Sequence, residues 1–186
     1  MARWDRLFQD LEAQLEAEQS RELRAEVADR TRRERALVEL RARLLANLGS
    51  RVGVRTPAAS YEGILTEVGA DWFLLDAVRG RPVLVPTRAI RSLRGLHAGV
   101  QEPSLVTKGL GLGAALRAIS RDRAVVGLVD LEGQVLTGTI DAVGADHLDL
   151  AEHHPDEPRR AANVKAVHVV PLDALSAVVR AEAGGP

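Results

Sequence analysis

The sequence predicts an α+β protein: a long N-terminal helix followed by two five-stranded antiparallel β-barrels, each preceded by a helix. Three observations predict it. Residues 4–48 contain neither Gly nor Pro and carry apolar residues at helical spacing. From Arg51 the apolar period changes to two, with turn residues between the runs. Finally, Val68-Gly69-Ala70-Asp71 returns as Val143-Gly144-Ala145-Asp146, an offset of 75 residues. The expected divisions are a helical arm over 1–48, a first barrel over 49–97, a linker and short helix over 98–121, a second barrel over 122–181 and a tail over 182–186.

Within the arm, Trp4, Leu7, Phe8, Leu11 and Leu15 recur at spacings of three and four, and the apolar positions return at Leu37, Leu40, Leu44, Leu45 and Leu48. Between them the chain is highly charged, so this middle cannot be buried on all sides. It either projects as a coiled-coil or bundle arm or breaks near Gln19-Ser20. The stripe of Leu7, Leu11 and Leu15 has no partner inside one helix, which predicts self-association or docking through it. Gly49 is the stop signal.

Five strands are expected over Arg51–Arg55, Tyr61–Val68, Trp72–Leu75, Val83–Val85 and Ile90–Leu93. A short helix follows at Leu112–Ser120. Strands then resume at Ala124–Val129, Val135–Val143, His147–Ala151, Ala166–Val170 and Ala177–Val179. Six of the fifteen positions in 61–75 are identical to those in 136–150, Gly63 matching Gly138 among them. Val85-Pro86 and Ala89 return as Val170-Pro171 and Ala174, now 85 residues on. The ten extra residues lie between Ala151 and Lys165, in a segment that reads as a solvated loop. Gly69 and Gly144 fall in the repeated turn, where a positive φ is expected.

Gly63-x-Leu65-x-x-Val68 followed by Asp71-x-Phe73-x-Leu75 resembles the first half of the Sm signature, and Val83-x-Val85-Pro86 with Ile90 resembles its second half. The unit is thus similar to the Sm-like and SH3-like group of small barrels, in tandem. That resemblance implies a mid-strand glycine that lets five strands bend and close. RNA-binding Sm proteins carry Asp at the position of Gly69, Asn at that of Phe73 and an Arg-Gly pair in the second half. This chain has Val85-Pro86-Thr87 there, so the uridine-binding residues are absent. Two tethered barrels on a long helix also do not fit a six- or seven-membered ring of single barrels.

The chain lacks cysteine, which excludes disulfides, thiolate-held metals and thiol nucleophiles. A formal net charge of −1 argues against coating nucleic acid by bulk charge. Residues 50–100 nevertheless carry net +3 and residues 122–186 net −6. No apolar run approaches the roughly 18 residues of a membrane span, and Met1-Ala2-Arg3-Trp4-Asp5 lacks a signal-peptide core, so a cytoplasmic protein is expected. Gly109-x-Gly111-x-x-Ala114 has the glycines of a dinucleotide fingerprint without the strand before it. Glu152, His153, His154 and Asp156 are metal-type side chains in a Pro-rich loop that reads as solvated. No catalytic residue, metal, cofactor or small-molecule substrate is therefore expected.

The function expected is that of a non-enzymatic adaptor or regulatory protein acting through protein–protein contacts of its barrels and helical arm. Alternation along 147–150 sets Leu148 and Leu150 inward, so Phe73 and Leu75 point inward in the first repeat and Trp72 and Leu74 outward. Trp72 and Leu74 then mark either a partner interface or an internal contact with the protein's own helix or second barrel. The alternative function is a nucleic-acid-associated regulator, binding RNA or DNA through Arg79, Arg81, Arg88, Arg91 and Arg94 around the fourth and fifth strands.

Overall fold

The computed structural model describes residues 36–77, 80–102 and 110–181, together with Glu26, Arg30, Arg32 and Arg33. Two compact units divide the chain, Met1–Glu39 and Leu40–Pro186. In the first, Glu26, Arg30, Arg32, Arg33 and Ala36 are helical and exposed, and the helix is interrupted over 37–39. Leu7, Leu11 and Leu15 lie outside the described residues, as does Gln19-Ser20. The long helix expected up to residue 48, whole or broken near Gln19-Ser20, is thus corrected at 37–39, and no coiled coil is present among the described residues. The second unit opens with a helix of seven residues, α1 (Leu40–Ala46). Nothing local marks the interruption, which has neither Gly nor Pro. What distinguishes the two sides is burial: Leu37 is 82% exposed, whereas Leu44 and Leu45 of α1 sit in a core.

Ten strands follow: β1 (Arg51–Arg55), β2 (Ser60–Val68), β3 (Trp72–Ala77), β4 (Arg81–Pro86), β5 (Ser92–Arg94), β6 (Val125–Asp130), β7 (Val135–Val143), β8 (His147–Glu152), β9 (Ala166–Pro171) and β10 (Leu175–Arg180). One further helix, α2 (Leu112–Arg121), precedes β6. The strands make one antiparallel sheet in the order β5-β1-β2-β3-β4-β10-β6-β7-β8-β9. The expectation of two closed five-stranded barrels is therefore corrected. Neither set of five closes on itself; the outer edge of β4 pairs with β10, Leu84 facing Val178 and Val83 facing Val179. Short 3-10 turns at Thr87–Ala89 and Leu172–Ala174 carry each fourth strand into its fifth.

The internal repeat is reproduced in the register of the first four strands of each set. Val52 faces Gly63 as Val126 faces Gly138, and Trp72 faces Pro86 as His147 faces Pro171. The β2–β3 register shifts between Leu65 and Glu67, and the β7–β8 register shifts between Ile140 and Ala142, the same place 75 residues on. Beside this bulge the strands approach closely. A Cβ on Gly63 would lie 2.4 Å from the Asp76 carbonyl oxygen, and one on Gly138 would lie 2.0 Å from that of Ala151. The mid-strand glycines are therefore required by contact with backbone. Gly69 and Gly144 donate from N–H to the carbonyls of Trp72 and His147 at 2.8 and 2.9 Å. Neither has positive φ, so the expectation of left-handed backbone there is corrected.

Two apolar cores form, and they exchange residues. Phe73, Leu65, Leu75 and Val54 centre the first, which also takes Val129 and Ala177 from the second repeat. Leu148, Leu150, Ile140 and Leu116 centre the second, which takes Trp72 and Leu84 from the first. Polar bonds cross the same junction. The Arg88 guanidinium donates to the Leu172 carbonyl and lies 3.3 Å from Asp173 Oδ1, and Ser176 Oγ donates to Thr56 Oγ1 at 2.9 Å with both residues buried. The Arg88→Met variant should lose about 1–2 kcal/mol, the scale of a charge-assisted bond to a carbonyl. Chemical denaturation checks it; unchanged stability would show that strand pairing alone joins the repeats.

Candidate functional site: a cleft where the repeats meet

The turn Ala70–Trp72 of the first repeat holds the start of α2. The Ala70 N–H and the Trp72 indole Nε1–H both donate to the Leu110 carbonyl, each at 2.9 Å, and Asp71 Oδ1 accepts from the Leu112 N–H at 2.7 Å. The body of α2 belongs to the second repeat: it packs on β7, and Ser120 Oγ donates to the Ile140 carbonyl at 2.9 Å. The helix therefore bridges the junction. Leu112 and Leu116 point into the core, with Ala115 and Ile119 packed against it, the spacing of three and four of an amphipathic helix. The Leu112 N–H of its first turn is already met by the Asp71 carboxylate, which occupies the end where a dinucleotide phosphate would sit.

Small residues leave a gap between this helix and the sheet. Ala114, Ala115 and Ala118 form one wall of a cleft of about 870 Å³; Leu74, Pro82, Leu84, Val126 and Val178 form the other, with Trp72 beside them. That volume lies within the range of ligand-sized sites, roughly 300–1,000 Å³. The walls are apolar, and no hydroxyl or imidazole side chain lines them among the described residues. The charged lining residues, Arg117, Arg121, Arg180, Glu67 and Asp122, are all exposed and form its rim. The three arginines make no ion pair or side-chain hydrogen bond among the described residues. Arg117 and Arg121 stand four apart on one helix face, an arrangement that costs a few tenths of a kcal/mol until an anion relieves it. Ala118 and both arginines are exposed, so the cleft opens to solvent along α2.

No known family model matches the chain, and no curated protein matches it either.

Trp72, expected on an outward face as either a partner interface or an internal contact, is 4% exposed and packed in the second repeat's core, while Leu74 is half-buried and lines the cleft. The arginines expected on one face are dispersed. Arg79 lies outside the described residues. Arg88 is bound into the junction, Arg81 begins β4 beside β10, and Arg94 forms an ion pair with Glu62. Arg91 precedes and Arg94 ends the edge strand β5, and Arg51 and Arg55 lie on the neighbouring β1, which the sequence reading did not single out. Arg117, Arg121 and Arg180 were missed as well. Arg180 is some sixty residues from the other two and joins them only because α2 and β10 line one cleft, although the i, i+4 pair on α2 was a visible signal.

The His-rich loop does not gather. His153 is buried, with Nε2 2.8 Å from Thr139 Oγ1 and Nδ1 2.9 Å from the His154 carbonyl. Nε2 of His168 lies 2.7 Å from Glu152, and Nδ1 of His154 lies 3.5 Å from Asp156. No cluster of three metal-type side chains occurs among the described residues. In the second repeat's turn, His147 Nδ1 lies 2.8 Å from Asp146 Oδ1, and this hydrogen bond and charge hold the exposed Asp146 carboxyl below its ordinary range. No helix among the described residues is long and apolar enough to cross a membrane.

Proposed function

We propose that the protein is an adaptor whose cleft receives an acidic amphipathic segment of a partner protein. The observation that carries this reading is the cleft: apolar walls, an open side and three rim arginines that make no ion pair among the described residues. A partner helix laying apolar residues into the cleft could set carboxylates at i and i+4 against Arg117 and Arg121, whose spacing along α2 is the same. Burying apolar surface supplies the affinity, and the charges supply orientation and rate of encounter. In this reading the protein works in the cytoplasm and needs no cofactor.

The test uses anilinonaphthalene sulfonate, an apolar probe with one anionic group, and acidic amphipathic peptides as its competitors. The protein should bind the probe and release it to such peptides. Ala118→Trp, which fills an exposed position of the wall, should reduce probe binding at least tenfold without changing the unfolding midpoint. Arg117→Glu with Arg121→Glu should abolish displacement by acidic peptides. Equal probe binding in Ala118→Trp would overturn the reading. So would low-salt binding of RNA or duplex DNA that survives both variants and disappears when Arg91 and Arg94 are replaced.

A further inference from the structure

The junction between the two repeats has an unfilled counterpart at each end of the sheet. Inside the chain, the edge of β4 pairs with β10. The repeat makes β9 the equivalent of β4 and β5 the equivalent of β10, and these are the two edge strands. The equivalence is set by pairing, not by sequence alone. Arg94 faces Gly53 as Val179 faces Gly127, and Phe73 faces Val85 as Leu148 faces Val170. Position for position, Leu84 corresponds to Val169 and Pro82 to Val167.

Burial differs sharply across this equivalence. Leu84 is 3% exposed at the junction, whereas Val169 is 66% and Val167 59% exposed on the outer edge. Edge strands in proteins that stay single are guarded by charge, proline within the strand or bulges. β9 reads Ala166-Val167-His168-Val169-Val170-Pro171, with no charged Lys, Arg, Asp or Glu and with proline only at its last position.

The helices tell the same story. Aligning the fully buried Leu44 of α1 and Leu116 of α2 sets Leu40 against Leu112; Leu112 is buried beneath the first repeat's turn, while Leu40 is exposed. The turn that would cover Leu40 in the same way is Asp146-His147, which is exposed.

Charge agrees as well. The junction joins Arg88 of the first repeat to Asp173 of the second. These two residues are themselves equivalent, so a junction between copies would bring Asp173 of one to Arg88 of the next, again opposite in sign. The Asp173 side chain is 93% exposed and can accept a second guanidinium. The same contact sets a half of net charge −6 against one of net charge +3.

We propose that copies of this chain join head to tail, β9 of one pairing antiparallel with β5 of the next in the β4–β10 register, Val169 opposite Leu93 and His168 opposite Arg94. The contact is heterologous, so it repeats from copy to copy until it closes or runs on. It does not depend on the cleft.

The absence of cysteine gives a direct test. Directly opposed residues of an antiparallel pair lie about 4.5–5.5 Å apart, within reach of a disulfide. Full-length Val169→Cys mixed with full-length Leu93→Cys under mild oxidation should form a disulfide-linked dimer at least tenfold faster than either variant alone. Val169→Cys mixed with Leu131→Cys, on an exposed loop, serves as the control. Light scattering of the unmodified chain should give a multiple of 20.0 kDa, and Val169→Asp should return it to a single chain with its unfolding midpoint retained. A single chain at every concentration, without the selective cross-link, would overturn the proposal. Preferential linking of Val169→Cys to itself would also overturn it, because that contact is two-fold.

Discussion

Replacing Trp72 by Ala is expected to remove about 3–5 kcal/mol of stability, the scale of truncating a large buried aromatic. The indole belongs to the first repeat but lies in the second repeat's core, beside Leu84, Leu112 and Val178. Its Nε1–H also holds the Leu110 carbonyl just before α2. The loss therefore combines a cavity with a loosened helix start. Trp72→Phe keeps most of the packing and removes the bond, so its cost should be nearer 1–2 kcal/mol. Urea denaturation measures both. A cost below about 1 kcal/mol for Trp72→Ala would mean that the helix and the second repeat hold together without the indole.

The second large effect is expected at the mid-strand glycines. Gly138→Ala puts a methyl group 2.0 Å from the Ala151 carbonyl oxygen, and Gly63→Ala puts one 2.4 Å from that of Asp76. Both obstacles are backbone held in a ladder, so β7 or β2 must move away from its neighbour. A cost of about 1–3 kcal/mol or somewhat more follows for each. Gly144→Ala is the contrast, since its nearest atoms belong to the His147 ring, which can swing into solvent. Its change should stay within about 0.5 kcal/mol. Thermal unfolding of the three variants tests the contrast, and Gly138→Ala matching the parent would show that the strands have room to separate.

The positions of the strands and of α2 were legible in the sequence because they depend on local information. Alternation places side chains on two faces, and Gly, Pro and Asp punctuate the runs. β1 and β7 occupy the residues that this period predicts, and α2 runs one residue beyond its predicted end. The repeat carried further. It set Phe73 and Leu75 inward by analogy with Leu148 and Leu150, and all four are fully buried. It also paired Gly63 with Gly138, which proved to share one close approach. The interruption at 37–39 was not legible, because no residue there breaks a helix; it falls where the compact unit begins at Leu40.

What only the tertiary structure decided is how the ends of each repeat are used. Sequence period says that a strand has two edges, not which strand will pair with each. A strand edge is satisfied by any partner that offers backbone groups and apolar cover, and that choice is made between residues almost a hundred positions apart. Leu84 and Val169 are both apolar residues of equivalent strands, yet one is buried against Val178 and the other faces solvent. The same holds for the cleft. Ala114, Ala115 and Ala118 are unremarkable helix formers in sequence, and they become one wall of a site only because α2, packed on β7, lines a cleft with residues of β4, β6 and β10. The sequence by itself determined where the strands lie, that they repeat, and that Phe73, Leu75, Leu148 and Leu150 face inward. How the repeats join, and the sheet edges and the cleft that this joining leaves open, came from long-range packing, where backbone pairing and burial are satisfied together.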